Sequence, residues 1–273
     1  MNGRAVGLDH VGIVGPDLDS LAEIFATIGF QVMPRATHDG GRTGNRCIML
    51  HGSYLELVAT VDGGTSATLA RFLARHAGIH ILALAIDAEA PVLARLQRAG
   101  LQGLHASGTE RALDDSRPDG PHVAFSLIAP PDLPEGRLLL IRHLTPDTLW
   151  QPTALRHDNA AHDLTEITIL SAAPAATAAR LSTLAGWPVI PDPAGGYDLD
   201  LPRGRVRILP PEARPDATSL VLPRIAGLTL RTSDGNASLS QRLKDRHIPH
   251  RINDRIVELE AAGVMLRFVP YDL

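Results

Sequence analysis

Two histidines, His10 and His80, each stand near the start of a short apolar run, and a glutamate, Glu56, interrupts another, Ser53-Tyr54-Leu55-Glu56-Leu57-Val58. Two imidazoles and one carboxylate can hold a divalent ion such as Fe, Mn, Zn, Ni or Co while leaving coordination positions open for a ligand. A carboxylate in an apolar strand is costly to bury unless it is paired or binds a cation. Side chains alternate along a strand, so Tyr54 shares the face of Glu56, where it serves either as a hydrogen-bond or proton donor or as packing.

These residues can meet only if short strands carry them to one surface. The chain has 24 glycines and 21 prolines, and the apolar segments between them are short, the pattern of many strands and few long helices. Leu8 to Val14 reads as a strand, and Asp17 caps a helix from Leu18 to Ile28 that Gly29 ends. Strands at Gln31–Ala36, Arg46–Leu50 and Tyr54–Val58 follow, giving a βαβββ unit. The unit recurs from Ile79, through a helix at Asp87–Ala99, to strands near His122–Ile128 and Arg137–Ile141. Aligning Asp17 with Asp87 sets His10 opposite His80. A third copy starts at Leu164 and includes a helix from Pro174 to Leu184; a fourth starts at Leu228 and ends in Val264–Val269. The repeats predict an α+β fold of four βαβββ modules in two domains, 1–150 and 151–273, divided in the polar stretch 145–163.

Composition narrows the function. A net charge of −4, with 26 Lys+Arg against 30 Asp+Glu, offers no basic surplus for nucleic acid. No segment is expected to span a bilayer or act as a secretory signal, and the single cysteine, Cys47, allows no internal disulfide, so the expected location is the cytoplasm. The partner expected is a small-molecule substrate. A homodimer is compatible with the sequence but not required, because four modules complete both domains within one chain.

Leu8-Asp9-His10-Val11, Gly44-Asn45-Arg46, Tyr54-Leu55-Glu56-Leu57 and Thr145-Pro146-Asp147-Thr148-Leu149-Trp150, in this order, resemble the glyoxalase-like branch of the vicinal oxygen chelate superfamily. The resemblance implies paired modules that form cupped, partly open barrels around a divalent metal, which a substrate chelates through neighbouring oxygens. It implies His10, His80 and Glu56 as metal ligands. The fourth ligand position falls on apolar Leu140, a departure from the glyoxalase I pattern that brings the set closer to ring-cleaving extradiol dioxygenases. Lyase, isomerase and dioxygenase chemistry therefore all remain open. The rival is a non-catalytic binding protein of the antibiotic-resistance type, which holds its ligand with aromatic rings and which a chain with 4% aromatics fits less well.

Other candidates follow from position. Asn45 and Arg46, after the glycine-containing loop 38–44, are candidate substrate contacts, as is Arg142, which either grips a substrate carboxylate or ends a strand in solvent. His122 is a second candidate acid or base, or is simply exposed. His143 is expected behind the site or on the surface. In the second half Glu166 is the only charged candidate and no metal set can be assembled, so its expected task is structural.

Overall fold

The computed structural model describes residues 3–38, 40–214, 220–233 and 235–271. The run Gly7–Val14 forms strand β1, and helix α1 (Leu18–Thr27) starts where the Asp17 carboxylate accepts a hydrogen bond from the Ser20 amide at 2.7 Å. Leu18, Leu21 and Phe25 are its buried stripe, and Gly29, at φ +98°, turns the chain away. Strands β2 (Ala36–Thr37), β3 (Thr43–Leu50) and β4 (Ser53–Thr60) complete the first module.

A short helix, α2 (Ala67–Leu73), precedes the second module, β5 (Gly78–Ala85), α3 (Glu89–Arg98), β6 (Ala106–Ala112), β7 (His122–Ile128) and β8 (Arg137–His143). The connection holds α4 (Pro146–Leu149) and a 3-10 turn at Pro152–Leu155. The third module is β9 (Ala161–Leu170), α5 (Pro174–Ala185), β10 (Ile190–Asp192), β11 (Gly196–Asp200) and β12 (Arg205–Leu209). The fourth is β13 (Arg224–Thr232), α6 (Asn236–Asp245), β14 (Arg251–Asn253), β15 (Ile256–Ala261) and β16 (Val264–Pro270).

The four expected modules are present. Each opening strand pairs in parallel with the last strand of its own module, and β1 with β5, like β9 with β13, pairs antiparallel across the two modules of a pair. Ile225 of β13 also pairs with Ile79 of β5, joining the described strands into one 16-stranded sheet. Helices α1, α3, α5 and α6 cover one face over the main apolar core, which includes Val11, Phe25, Leu55, Leu140, Ile167, Leu228 and Phe268. The other face lines the cups. In the first cup, Val14, Val58 and Ile81 pack with Leu69 and Phe72 of α2 at one end, while Cys47, Met49, Tyr54 and Val123 pack with Leu149 and Ala154 at the other.

Several elements differ from expectation, among them β10, β14 and α4, which the sequence pattern does not announce. Of the strand at Gln31–Ala36 only Ala36 survives in β2, because Pro34 has no N–H to donate; Met33 alone reaches β3, its amide donating to the Cys47 carbonyl at 2.8 Å. Strand β6 was not foreseen, since its residues are mostly exposed and show no apolar alternation. Helix α2 was also missed, a single short piece between two modules.

Candidate metal centre in the first cup

A β-bulge sets the geometry. In the β1–β5 ladder Leu8 pairs with Leu84 and His10 with Ala83, leaving Asp9 as the extra residue. Such a bulge lets neighbours that would normally face opposite ways approach each other. Asp9 and His10 are both buried, and Nδ1 of His10 lies 2.7 Å from the Asp9 carboxylate. Burial pushes the Asp9 pKa up, but hydrogen bonds from His10 and His143 outweigh it and hold the pKa below its usual value. An ionised Asp9 only accepts, so Nδ1 of His10 donates and its Nε2 is free to act as a ligand. That nitrogen faces Oε2 of Glu56 at 3.8 Å.

Glu56 sits on β4 opposite Gly12 of β1. Its other oxygen, Oε1, accepts a short hydrogen bond from Nδ2 of Asn45 and lies 3.3 Å from Nε2 of His38. Burial alone would raise the Glu56 pKa; the His38 hydrogen bond, the charges of His10 and His38, and Asn45 reverse this and bring it down to about 2. Nδ1 of His38 is taken up by Thr43 Oγ1 at 2.9 Å. Nε2 of His38 also lies 3.1 Å from Nδ2 of Asn45, so His38, Asn45 and Glu56 converge on one point.

The predicted residues divide. His10, Asn45, Tyr54 and Glu56 come together, with the Tyr54 ring stacked on His10 at 4.4 Å between centroids. His80 does not join them. A second bulge, where Gly12 pairs with Ile81 and Ile13 with Ile79, makes His80 the unpaired residue. Its ring stacks on Phe72 and His76, and its Nε2 is 2.8 Å from the His76 carbonyl. Arg46 alternates with Asn45 and so lies on the helix side, donating to Asp19 at 2.9 Å. Arg142 follows Leu138 and Leu140, both in the helix-side core, and bonds Glu89 of α3 at 3.2 Å. Leu140 thus faces the helices rather than a ligand position. His122 is exposed, with Nδ1 2.9 Å from the Gly120 carbonyl, because its neighbour Val123 takes the cup face.

Four contributors were not assigned from the sequence. Asp9 and His38 are described above. His143 lies on the cup face, behind His10: its Nε2 is 3.2 Å from Asp9 and its ring packs edge-on against Trp150. Apolar Leu138 and Leu140 on the opposite face were the available signal for its orientation. Arg111 pairs across β6–β7 with Val123, inside the cup cluster. Its guanidinium acts on Cys47 and Tyr54, and its buried Nε has no hydrogen-bond partner. Burial nonetheless dominates both groups, pushing Cys47 up to about 12 and Tyr54 well above its usual value, the latter helped by the charges of Asp9 and Glu56. At neutral pH Tyr54 is a hydrogen-bond donor and not a base.

The donor set fits a divalent metal. His10 is oriented by a buried carboxylate, the arrangement that fixes the tautomer of metal-ligating histidines, and it faces a second carboxylate that burial has not neutralised. His38 is the third donor within reach of Glu56. His10, His38 and Glu56 do not form a tight triangle as they stand, so holding one ion would need His38, which is partly exposed, to turn inward.

In the second cup the charged groups pair with one another. Glu166 lies 3.9 Å from Arg207 and 3.8 Å from Arg267. Arg207 also bonds Asp192, and Arg267 donates to Glu258 at 3.0 Å. Burial raises the Glu166 pKa despite these arginines. Each arginine meets carboxylates, so the cup holds a balanced ionic network, and Glu166 lacks the histidine neighbours of the first cup.

A family model described as a glyoxalase-like domain matches residues 8–185. Comparison with curated proteins gives no match. Among solved structures, a hypothetical protein from Staphylococcus aureus aligns with 13% identity and a TM-score of 0.66 over 97% of this chain and 98% of that one. A triple mutant of 4-hydroxymandelate synthase from Streptomyces coelicolor aligns with 13% identity and a TM-score of 0.63 over 98% and 93% of the two chains. A catechol 2,3-dioxygenase aligns with 11% identity and a TM-score of 0.58 over 98% and 88%. The likeness in fold spans both halves, and the family model covers more than half of the sequence: the chain belongs to the glyoxalase-like domain family.

Proposed function

We propose that the chain is a metal-dependent oxygenase of vicinal oxygen chelate type, acting in the first cup on a small anionic substrate with neighbouring oxygens. The observation that carries this reading is the series Asp9, His10, Glu56, His38, buried except at His38, in which both imidazoles turn a nitrogen toward one ionised carboxylate. His10, Glu56 and His38 would hold the ion; two histidines and one carboxylate are the ligand set of non-haem iron(II) oxygenases. A bound ion would supply Lewis-acid chemistry and, if iron, redox chemistry to a chelating substrate.

The chain's own groups have distinct tasks. Asp9 fixes the His10 tautomer and holds His143. Asn45 orients Glu56 through its short hydrogen bond. Tyr54 can donate a hydrogen bond to a substrate oxygen, and Arg111 supplies a cation for a substrate carboxylate. Tyr54 lies too far above neutrality to be the general base of an isomerase or lyase. The catechol 2,3-dioxygenase of like fold supports the oxygenase reading.

The test is anaerobic reconstitution with Fe(II), followed by oxygen-uptake measurements with carboxylated ortho-diphenols. Uptake by the native chain and its loss in Glu56→Gln is the expected result. Turnover of a 2-oxoaldehyde–thiol adduct without oxygen uptake would overturn the oxygenase reading in favour of isomerase chemistry. Ligand binding with no metal dependence at all would restore the sequestering alternative.

A further inference from the structure

His51, in the turn between β3 and β4, lies beside the start of β9, where its amide donates to the His162 carbonyl at 2.9 Å. This backbone bond brings the two imidazoles face to face, with centroids 3.5 Å apart and planes inclined by 9°. Asp163 follows, its Oδ1 3.0 Å from Nδ1 of His162. That nitrogen is buried yet has no hydrogen-bond partner, because the short approach to Asp163 lacks hydrogen-bond geometry. A ring nitrogen and a carboxylate oxygen in close approach without a bond between them have the relation of two ligands to one ion. Ligand atoms from the three residues all lie within 4.8 Å of one another.

We infer that His51, His162 and Asp163 form a second divalent transition-metal site, outside the first cup, joining the first module to the third. Two imidazoles and a carboxylate select Zn²⁺ or a similar borderline ion over Mg²⁺ or Ca²⁺, which prefer all-oxygen sites. Zinc bonds to nitrogen and oxygen run at about 2.0–2.2 Å, so tetrahedral ligand atoms sit about 3.4 Å apart. Closing the set requires exposed His51 to swing out of the parallel stack, so that the in-plane lone pairs of both rings converge on the ion.

Competing charge falls on the other oxygen of Asp163. Oδ2 takes the Tyr271 hydroxyl at 3.4 Å and lies 3.9 Å from Arg231, leaving Oδ1 toward His162. His51 and Asp163 also line an open cleft of about 640 Å³ with Glu166, Thr229 and Arg231. Solvent in that cleft can fill the remaining coordination positions. The ion would cross-link residues 111 positions apart along the chain, a link that stabilises the folded state in proportion to how tightly it binds.

The experiment uses the 273-residue chain with Glu56→Gln, which removes the Glu56 carboxylate from the first cup, and titrates Zn²⁺ and Co²⁺ by calorimetry and by Co²⁺ visible absorption. The expected result is about one equivalent bound with a rise in Tm, both lost when His51→Ala is added. Because His51 is exposed, that substitution should leave the fold intact; Asp163→Asn is the second variant and should weaken binding at least tenfold. Unchanged Zn²⁺ affinity in both combined variants, or no binding once Glu56 is replaced, overturns the site. One equivalent retained without Glu56 and then lost with His51→Ala supports it whether or not the first cup binds metal.

Discussion

Nε2 of His10 faces Oε2 of Glu56 across 3.8 Å while the other ring nitrogen of His10 is bound to buried Asp9 at 2.7 Å. The separation is long for a hydrogen bond and suits two ligands of one ion. Asp9→Asn should therefore keep the fold but lower metal affinity by about 10–100-fold, the usual cost of losing a partner that orients a ligating histidine. Metal content after dialysis against a graded chelator measures it; affinity unchanged by Asp9→Asn would show that the tautomer is not set there.

The third donor distinguishes His38 from His80. His38→Ala should reduce metal affinity at least tenfold with little change in Tm, since its side chain is about a third exposed. His80→Ala should do the reverse: it empties a fully buried position stacked on Phe72 and His76 and lowers stability by roughly 2–4 kcal/mol, leaving metal content intact. Urea unfolding and metal analysis of the two variants, taken together, decide between them. Loss of metal in His80→Ala would restore the set read from the repeats.

The modules were legible because their signals are local. Asp17 as a cap, Gly29 as a stop and the apolar spacing of α1 each act within a few residues. Glu56 and Tyr54 share a face for the same reason, strand alternation, whereas Asn45, expected as a substrate contact beside Arg46, bonds Glu56 instead. His80 was misplaced by a bulge, one extra residue that no periodic reading reveals. The bulge at Asp9 likewise turned a residue assigned no role into the partner of His10. Arg142 and Arg111 exchange roles because β8 was read on the wrong face and β6, being exposed, was not seen. His38 lies in a loop, where side-chain direction has no sequence period.

Arg111 leads to a prediction about the substrate. Its guanidinium, near Cys47 and Tyr54 and with a buried Nε that has no hydrogen-bond partner, brings a cation to the cup. Arg111→Ala should raise KM for a carboxylated substrate by about 10–100-fold, in line with about 1.5–3 kcal/mol for a hydrogen bond to a charged group. Arg142→Ala should leave KM unchanged, because that side chain is tied to Glu89 outside the cup. Equal effects of the two substitutions on KM would remove Arg111 from the substrate site.

The pair His76 and His80 predicts how stability depends on pH. Burial, the largest cause, lowers the His76 pKa from 6.5 to about 4, and burial also lowers that of His80. Both are therefore neutral in the folded chain over a range where the unfolded chain protonates them. Between about pH 6.5 and pH 4 the unfolded state binds the extra protons, so the contribution of these groups is fully present above pH 6.5 and is lost as pH falls through that window. Other titrating groups add their own slopes, which the comparison of variants subtracts. Urea midpoints at pH 7.5 and 5.0 should differ less in His76→Gln than in the native chain, because glutamine has no proton to bind on unfolding. An equal loss in both chains would mean that His76 is protonated in the folded state, contrary to its packing against His80.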